Sequence, residues 1–103
     1  MEYRRFGNTI YLRLDPKEEI LEEIGKVAEK ENIRLAQVTG LGAINDFTAG
    51  VYNTVTKEYH SIQFQGAYEI VSLTGTVTRK DGDVYLHLHI AAGDEEALYT
   101  AAI

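Results

Sequence analysis

The feature that most constrains this chain is a pair of β-type segments on either side of Asp81-Gly82. Residues 68–78 are rich in β-branched side chains, and residues 84–90 alternate strictly between aliphatic and other side chains. Asp-Gly supplies the positive φ angles of a tight hairpin turn. These segments are therefore predicted to form a long antiparallel hairpin, with Gly75 marking a kink in its first strand.

One amphipathic helix is predicted well before this hairpin. Asp15 can cap the free backbone N–H groups of the helix, Pro16 suits its first position, and Glu18 completes a capping box. Aliphatic residues then recur on one stripe as far as Ala28, and Asn32 is the predicted end. This helix is expected to cover one face of a sheet.

Four shorter segments have the composition or alternation of further strands: residues 9–14, 33–38, 47–52 and 59–64. The last two flank a polar turn and are predicted to pair as a hairpin. Gly40 and Gly42 flank Leu41, which predicts a bulge where two backbones approach closely. The order β-α-β followed by strands predicts an α+β domain, in which one helix covers a mostly antiparallel sheet.

The length and composition indicate a single small domain over residues 1–103. The absence of cysteine excludes disulfides and thiolate metal ligands, and it fits a cytoplasmic protein. No apolar run reaches the length that spans a bilayer, so no membrane partner is expected. A net charge of −6 disfavours binding to nucleic acid, whose phosphates require lysine and arginine.

The candidate site is a pair of histidines on the strand at residues 84–90. His87 and His89 share the face opposite the aliphatic side chains, so their imidazoles can converge on a divalent metal such as zinc. Two ligands are too few for a closed zinc site. His60, Glu69, Asp83 or another subunit would have to complete it. An ordinary polar sheet face or a subunit interface is the interpretation preferred over a metal site, because the third histidine of the family pattern described below is missing.

Glu69 is the second residue of interest. Strand alternation groups it with Val71, Leu73 and Val77, and a carboxylate in such an apolar row is costly unless it is paired. It is interpreted as an anchor for backbone N–H groups or as an exposed residue at the strand's edge, in preference to a metal ligand or a general base. No catalytic residue is assigned.

Several segments, taken in order, resemble the PPC domain (also written PCC) that plants and prokaryotes share. They are residues 38–43, 66–75, 86–90 and Gly93-Asp94. The resemblance implies an antiparallel sheet with a helix, assembled as a homotrimer. It also implies self-association in plant proteins that bind DNA through attached AT-hook segments. Stand-alone prokaryotic members are mostly of unknown function, and some resemble metal-binding proteins with clustered histidines.

Two departures from the family pattern affect these expectations. Family members continue into further strands beyond the position of Ile103, and they carry a Gly-Gly-His-Leu segment that matches residues 100–103 here. Ala102 therefore replaces a third histidine of that pattern. The chain contains no AT-hook sequence, so the plant mode of DNA binding does not transfer.

Three functional hypotheses follow. The leading one is a non-catalytic, self-associating module whose histidine face lies near a subunit contact and binds a metal or small molecule. The second is a metal-dependent enzyme that uses His87, His89 and Glu69. The third is a DNA-associated regulatory protein, which the family resemblance implies and the net charge disfavours.

Overall fold

The computed structural model describes residues 1–96 and, by their backbone, residues 98–102. Six strands and one helix follow the order β1-β2-α1-β3-β4-β5-β6. Their bounds are Glu2–Phe6 (β1), Thr9–Arg13 (β2), Ile20–Lys30 (α1), Ala36–Asn53 (β3), Glu58–Lys80 (β4), Asp83–Gly93 (β5) and Leu98–Ala102 (β6). Every strand pair in this part of the chain is antiparallel, which confirms the predicted α+β class.

The strands form two sheets. β1 and β2 make a separate two-stranded sheet, while β3, β4, β5 and β6 pair in that order and the sheet closes on itself where Gly50 of β3 lies opposite Ala102 of β6. The sequence prediction did not include β1. Arg4 and Arg5 interrupt any apolar alternation there, and of the strand's five residues only Tyr3 is half-buried.

The helix begins four residues later than its predicted first position at Pro16. Glu19 is the N-cap, and its carboxylate accepts a hydrogen bond from the Glu22 N–H at 2.7 Å. Residues 15–18 form a turn instead, in which Lys17 has a φ of 75° and the Glu18 N–H donates to the Asp15 carbonyl. Proline followed by a positive φ is typical of a type II turn, so the predicted helix start at Pro16 is wrong.

The Asp15 side chain is engaged elsewhere, which further explains why it does not cap the helix. The Met1 amine donates to Asp15 Oδ2 at 3.0 Å and to Glu18 Oε2 at 2.8 Å. The hydrogen bonds to Glu18 and then to Asp15 raise the pKa of the amine. The same hydrogen bonds lower the pKa of both carboxyl groups, with Arg13 adding to the effect on Asp15.

The cluster formed by the Met1 amine, Asp15 and Glu18 predicts that the stability of the fold depends on pH. Because the pKa of Glu18 is lowered from its ordinary value of 4.5, its contribution to stability is fully present above pH 4.5. That contribution is lost as the pH falls through the folded-state pKa. The raised pKa of the Met1 amine means that its contribution is present below 8.0 and is lost as the pH rises through its folded-state pKa.

The measurement is urea unfolding of wild type and of Glu18→Gln across this pH range. The difference in unfolding free energy between them should be constant from pH 4.5 to 8.0 and shrink on both sides. Glu58→Gln, at an exposed position away from the cluster, is the control and should show no such profile. A difference for Glu18→Gln that does not change with pH would contradict the assignment.

The two predicted hairpin turns are confirmed. Asn53 Oδ1 accepts hydrogen bonds from the Val55 and Thr56 N–H groups at 2.9 and 3.0 Å, which closes the turn between β3 and β4. Asp81 and Gly82 have φ angles of 52° and 87° and join β4 to β5. Both turns therefore follow from local side-chain chemistry.

The strands on either side of the first turn are longer than predicted. The segments predicted as separate strands are joined into the continuous β3 and β4, which pair from Ala36↔Val77 to Asn53↔Glu58. The predicted bulge lies between Gly40 and Gly42, and a second irregularity follows Ile44. These bulges bend the hairpin without ending its strands.

The core lies between the helix and one face of the closed sheet. The buried stripe of the helix packs on side chains from β3, β4 and β5. The buried residues of this cluster are Ile24, Ala28, Phe47, Ala49, Ile70, Leu73, Val77, Leu88, Ile90 and Ala92. The opposite face of the sheet is left to solvent, and it carries the candidate site.

Candidate functional site

The histidine-bearing strand has two chemically distinct faces. Leu88 and Ile90 are 0% and 2% exposed, whereas His87 and His89 are exposed on the other side. Successive side chains of a strand project to opposite faces, and burial of the aliphatic set holds both imidazoles outward. The buried aliphatic and exposed imidazole side chains of this strand therefore alternate as the sequence predicts.

The two imidazoles converge. His87 Nε2 lies 3.2 Å from His89 Nε2, and the ring centroids are 5.2 Å apart with an interplanar angle of 33°. Two nitrogens at 2.0–2.1 Å from one tetrahedral zinc ion are about 3.3 Å apart. The same separation allows one neutral imidazole to donate a hydrogen bond to the other. The pair thus suits either a shared proton or two of the ligands of one divalent metal.

The described residues do not supply a third metal ligand. No group of three His, Asp or Glu side chains among them is arranged to hold a metal ion. Asp83 is four positions before His87, about 13 Å along the strand. His60 lies opposite Val51 and next to Tyr59 on β4, so it projects from the opposite face of its strand to Tyr59. The structure therefore keeps both residues away from the histidine pair.

Glu69 is exposed, and its predicted place in an apolar row is wrong. In the β4–β5 ladder Ile70 lies opposite Ala92 and Ser72 opposite Ala91, which leaves Val71 as an extra, bulged residue. The bulge reverses the alternation, because one additional residue shifts every later side chain to the other face. Glu69 consequently faces solvent and lies about 15 Å along the strand from the Thr74↔His89 pair.

Gly75 is a point of close approach between strands. The β4–β5 ladder is regular at Gly75↔Leu88 and its irregularity is at Val71, so the predicted kink at Gly75 stays a prediction. A Cβ atom on Gly75 would meet the His87 carbonyl oxygen and would lie 2.7 Å from Leu88 Cα. The missing side chain therefore allows β4 to pack directly against the backbone that carries the histidine pair.

The histidines line an open groove of about 860 Å³, here called the histidine groove. Its other polar walls come from Ser72 and Thr74 of β4, Tyr85 of β5, and Tyr52 and Tyr59 of the β3–β4 hairpin. The two hairpin tyrosines are direct cross-strand partners. Sequence reasoning gave these tyrosines no part in the site, although the register set by the turn at residues 53–57 pairs them.

Position 102 has a defined relation to the pair. Ala102 of β6 is the backbone partner of His89 of β5. The position at which the family resemblance places a third histidine is therefore opposite His89 in the strand register. The side chain at 102 and all of Ile103 lie outside the described residues.

The fold and site together define a class: a small α+β domain with a closed antiparallel sheet, one covering helix and a paired-imidazole groove on the outer face. The model of the Plants and Prokaryotes Conserved (PCC) domain matches residues 1–101. This chain therefore belongs to the PCC domain family. Among curated protein sequences, none matches it.

Three solved structures are similar to this chain. A candidate DNA-binding protein from Bacteroides thetaiotaomicron is 28% identical, with a TM-score of 0.93 over 98% of this chain and 71% of that one. A metal-containing protein from Archaeoglobus fulgidus is 29% identical, with a TM-score of 0.85 over 89% and 66%. A plant- and prokaryote-conserved (PPC) protein from Pyrococcus horikoshii is 34% identical, with a TM-score of 0.83 over 88% and 64%. The chain thus spans about two thirds of the length of these proteins.

Proposed function

We propose that this protein is a self-associating PCC module whose histidine groove lies at a contact between copies and holds a divalent metal such as zinc. The observation that carries the proposal is the 3.2 Å separation of His87 Nε2 and His89 Nε2 within a groove bordered by exposed aromatic side chains. The homotrimer is the assembly that the family resemblance implies. Cytoplasmic localisation is part of the proposal, because a cysteine-free chain suits a reducing compartment.

Exposed apolar side chains support self-association. Every residue from 51 to 63, the hairpin arm, is exposed, and five large apolar side chains lie on it. They are Val51, Tyr52, Val55, Tyr59 and Ile62, each at least 51% exposed. Monomeric soluble proteins seldom expose apolar patches of this kind, and Tyr is enriched in protein interfaces. Burying the arm against another copy would also supplement the small core of a domain this short.

The described residues provide fewer ligands than a metal needs, which supports a metal that takes its other ligands from another copy or from solvent. Zinc needs about four ligands, and the described chain offers two converging imidazoles. When bound, a metal of this kind supplies a point of coordination that can tie two surfaces together. The similar Archaeoglobus fulgidus protein is described as metal-containing, which favours this use of the pair over a purely structural one.

The two alternative functions receive less support. An enzyme using His87, His89 and Glu69 would need those groups within reach of one substrate, and Glu69 lies about 15 Å along the strand from the pair. A DNA-associated role has the similarity to the Bacteroides thetaiotaomicron protein in its favour. The net charge of −6 opposes it, since the phosphates of nucleic acid require neutralisation by lysine and arginine.

The test combines light scattering with zinc titration on protein purified without a histidine tag. We expect a mass of several copies at micromolar concentration, and zinc affinity that falls about 100-fold or more in His87→Ala/His89→Ala. Ala102→His should raise zinc affinity at least about tenfold, because it adds a ligand opposite His89. His60→Ala, outside the groove, is the control and should bind zinc as wild type does.

The two parts of the proposal can fail separately. A monomer at micromolar concentration would refute self-association. Zinc binding that is absent, or that is unchanged by loss of both groove histidines, would refute the metal site. DNA binding that weakens little with added salt would count against a regulatory role, since phosphate contacts are strongly salt-dependent.

A further inference from the structure

One stretch of the outer face of β3 and β4 contains no charged residue. It is here called the threonine face and consists of Gln37, Thr39, Leu41, Val71, Thr74 and Thr76. Gln37 lies opposite Thr76 and Thr39 opposite Thr74, so these side chains form adjacent rows across the two strands. Charged residues make up 25% of the chain, and their depletion from one surface is typical of the centre of a protein interface.

Two neighbouring aliphatic side chains are exposed at one end of the threonine face. Leu41 is 88% exposed and Val71 is 63% exposed. Leu41 is the single β3 residue between Gly40 and Gly42, and it lies across from Val71 and Ser72 of β4. Val71 is the extra residue of the β4 bulge, which turns its side chain away from the core. The threonine face therefore has an apolar contact point that the core of its own copy does not use.

The hairpin arm also has apolar side chains that its own copy leaves in water. Ile62 is three positions from Tyr59 on β4, so it projects from the side of the arm opposite to that tyrosine. Val55 lies in the turn at the tip of the arm. These two side chains are 51% and 87% exposed, and neither borders the histidine groove. They are therefore available to another molecule.

The charges on the two surfaces suit a contact between copies. The hairpin arm has one cation and one anion, Lys57 and Glu58, whose charges cancel. The threonine face has no charge at all. An arm and a face from two copies can therefore approach each other, although each copy carries a net charge of −6. A strongly acidic or basic partner finds no matching charge on either surface.

Only a contact between the two different surfaces buries both of them at once. Two arms packed on each other would leave both threonine faces in water, and two faces packed on each other would leave both arms in water. An arm packed on the face of another copy removes both surfaces from water in a single contact. Such a contact is heterologous, and it uses every arm and every face when the copies close into a ring.

We propose that the hairpin arm of one copy docks on the threonine face of the next copy. Val55 and Ile62 of the arm would meet Leu41 and Val71 of the face, and the flanking threonines would form the polar rim. This inference rests on the proposed function, because it requires self-association. It deepens that proposal by naming the surface that receives the arm.

The docked arm would lie beside the histidine pair of the copy that receives it. Thr76 is the register partner of His87, and Thr74 is the partner of His89. Neighbouring strands are about 4.8 Å apart, so the threonine face and the two imidazoles form one continuous surface. The contact between copies would therefore adjoin the histidine groove, as the proposed function requires.

The test uses one substitution on each surface and a mixture of the two variants. Leu41→Lys places a charge on the threonine face, and Val55→Lys places one on the arm. Both positions are almost fully exposed, and the backbone N–H that Val55 contributes to the turn is kept, so both variants should fold. Phe6→Lys, at an exposed position on β1 outside both surfaces, is the control.

Light scattering at micromolar concentration should give the mass of one copy for Leu41→Lys and for Val55→Lys, and the wild-type mass for Phe6→Lys. An equal mixture of the first two variants should contain a species of two copies as its concentration is raised. In that mixture the intact arm of Leu41→Lys meets the intact face of Val55→Lys. No further copy can add, because the remaining arm and the remaining face both carry a lysine.

Each other outcome overturns the contact. If only Val55→Lys loses the wild-type mass, the arms pack on each other; if only Leu41→Lys loses it, the faces do. If both variants keep the wild-type mass, the copies associate elsewhere, and the proposed self-association stands without this contact. A mixture that contains only single copies would show that the arm does not bind the face. A wild-type monomer would refute both the proposed self-association and this contact.

Discussion

Gly75→Ala is expected to destabilise the domain by about 3 kcal/mol or more, at the upper end of the usual cost of inserting a methyl group into a packed interior. The added Cβ would meet the His87 carbonyl oxygen and would lie 2.6 Å from Leu88 Cδ2 and 2.7 Å from Leu88 Cα. Two of these three atoms belong to the backbone, which cannot rotate away as a side chain can. The β4–β5 ladder would have to separate at the point where Leu88, which is fully buried, anchors the core.

Urea unfolding followed by circular dichroism measures this loss directly. Gly25→Ala is the matched control, because its Cβ meets nothing within 4 Å and alanine favours the helix by up to about 1 kcal/mol over glycine. The two substitutions should therefore change stability in opposite directions. If the unfolding free energy of Gly75→Ala equals that of wild type, β4 and β5 can separate at this point without a loss of stability, which contradicts the prediction.

Gly75→Ala should also disturb the candidate site. His87 and His89 flank Leu88, and a shift of that backbone changes the separation of their Nε2 atoms from 3.2 Å. Any Gly75→Ala protein that remains folded should bind zinc more weakly than wild type, although both imidazoles are still present. A folded variant with wild-type zinc affinity would show that the close approach at Gly75 does not determine the separation of the two imidazoles.

Arg79→Met is expected to cost about 3 kcal/mol, because one guanidinium links three parts of the fold and charged hydrogen bonds contribute about 1.5–3 kcal/mol each. Its Nε donates to the Ile33 carbonyl at 3.0 Å and its Nη2 to the Ala28 carbonyl at 3.3 Å. Its Nη1 reaches Glu29 Oε1 at 3.0 Å and the Gly82 carbonyl at 3.2 Å. The helix end, the segment after it and the β4–β5 turn all lose a donor.

Thermal and urea unfolding of Arg79→Met, Arg79→Lys and Arg34→Met distinguish this network from a general effect of charge. Lysine keeps the charge but lacks the planar fork of donors, so Arg79→Lys should recover only part of the loss. Arg34 is exposed, and Arg34→Met should stay within about 0.5 kcal/mol of wild type. Equal stability of Arg79→Lys and wild type would show that one ammonium group is sufficient.

Features governed by neighbouring residues were predictable from the sequence. The Asp81-Gly82 turn, the turn at residues 53–57 and the outward projection of His87 and His89 all follow from local chemistry or from strict alternation. The Gly40–Gly42 bulge was also predicted correctly. Where the local pattern was ambiguous the prediction failed, as at residues 15–18, whose turn resembles a helix cap.

The sequence by itself determined the α+β class, the helix-covered antiparallel sheet and the opposite orientation of aliphatic and imidazole side chains on β5, because each depends on periodicity within one segment. Only the tertiary structure decided that Glu69 faces solvent and that Tyr52 and Tyr59 border the histidine groove. These depend on a one-residue bulge at Val71 and on pairing between distant strands. Neither can be detected from the alternation of apolar and polar residues within one segment, since register is set by packing across the whole sheet.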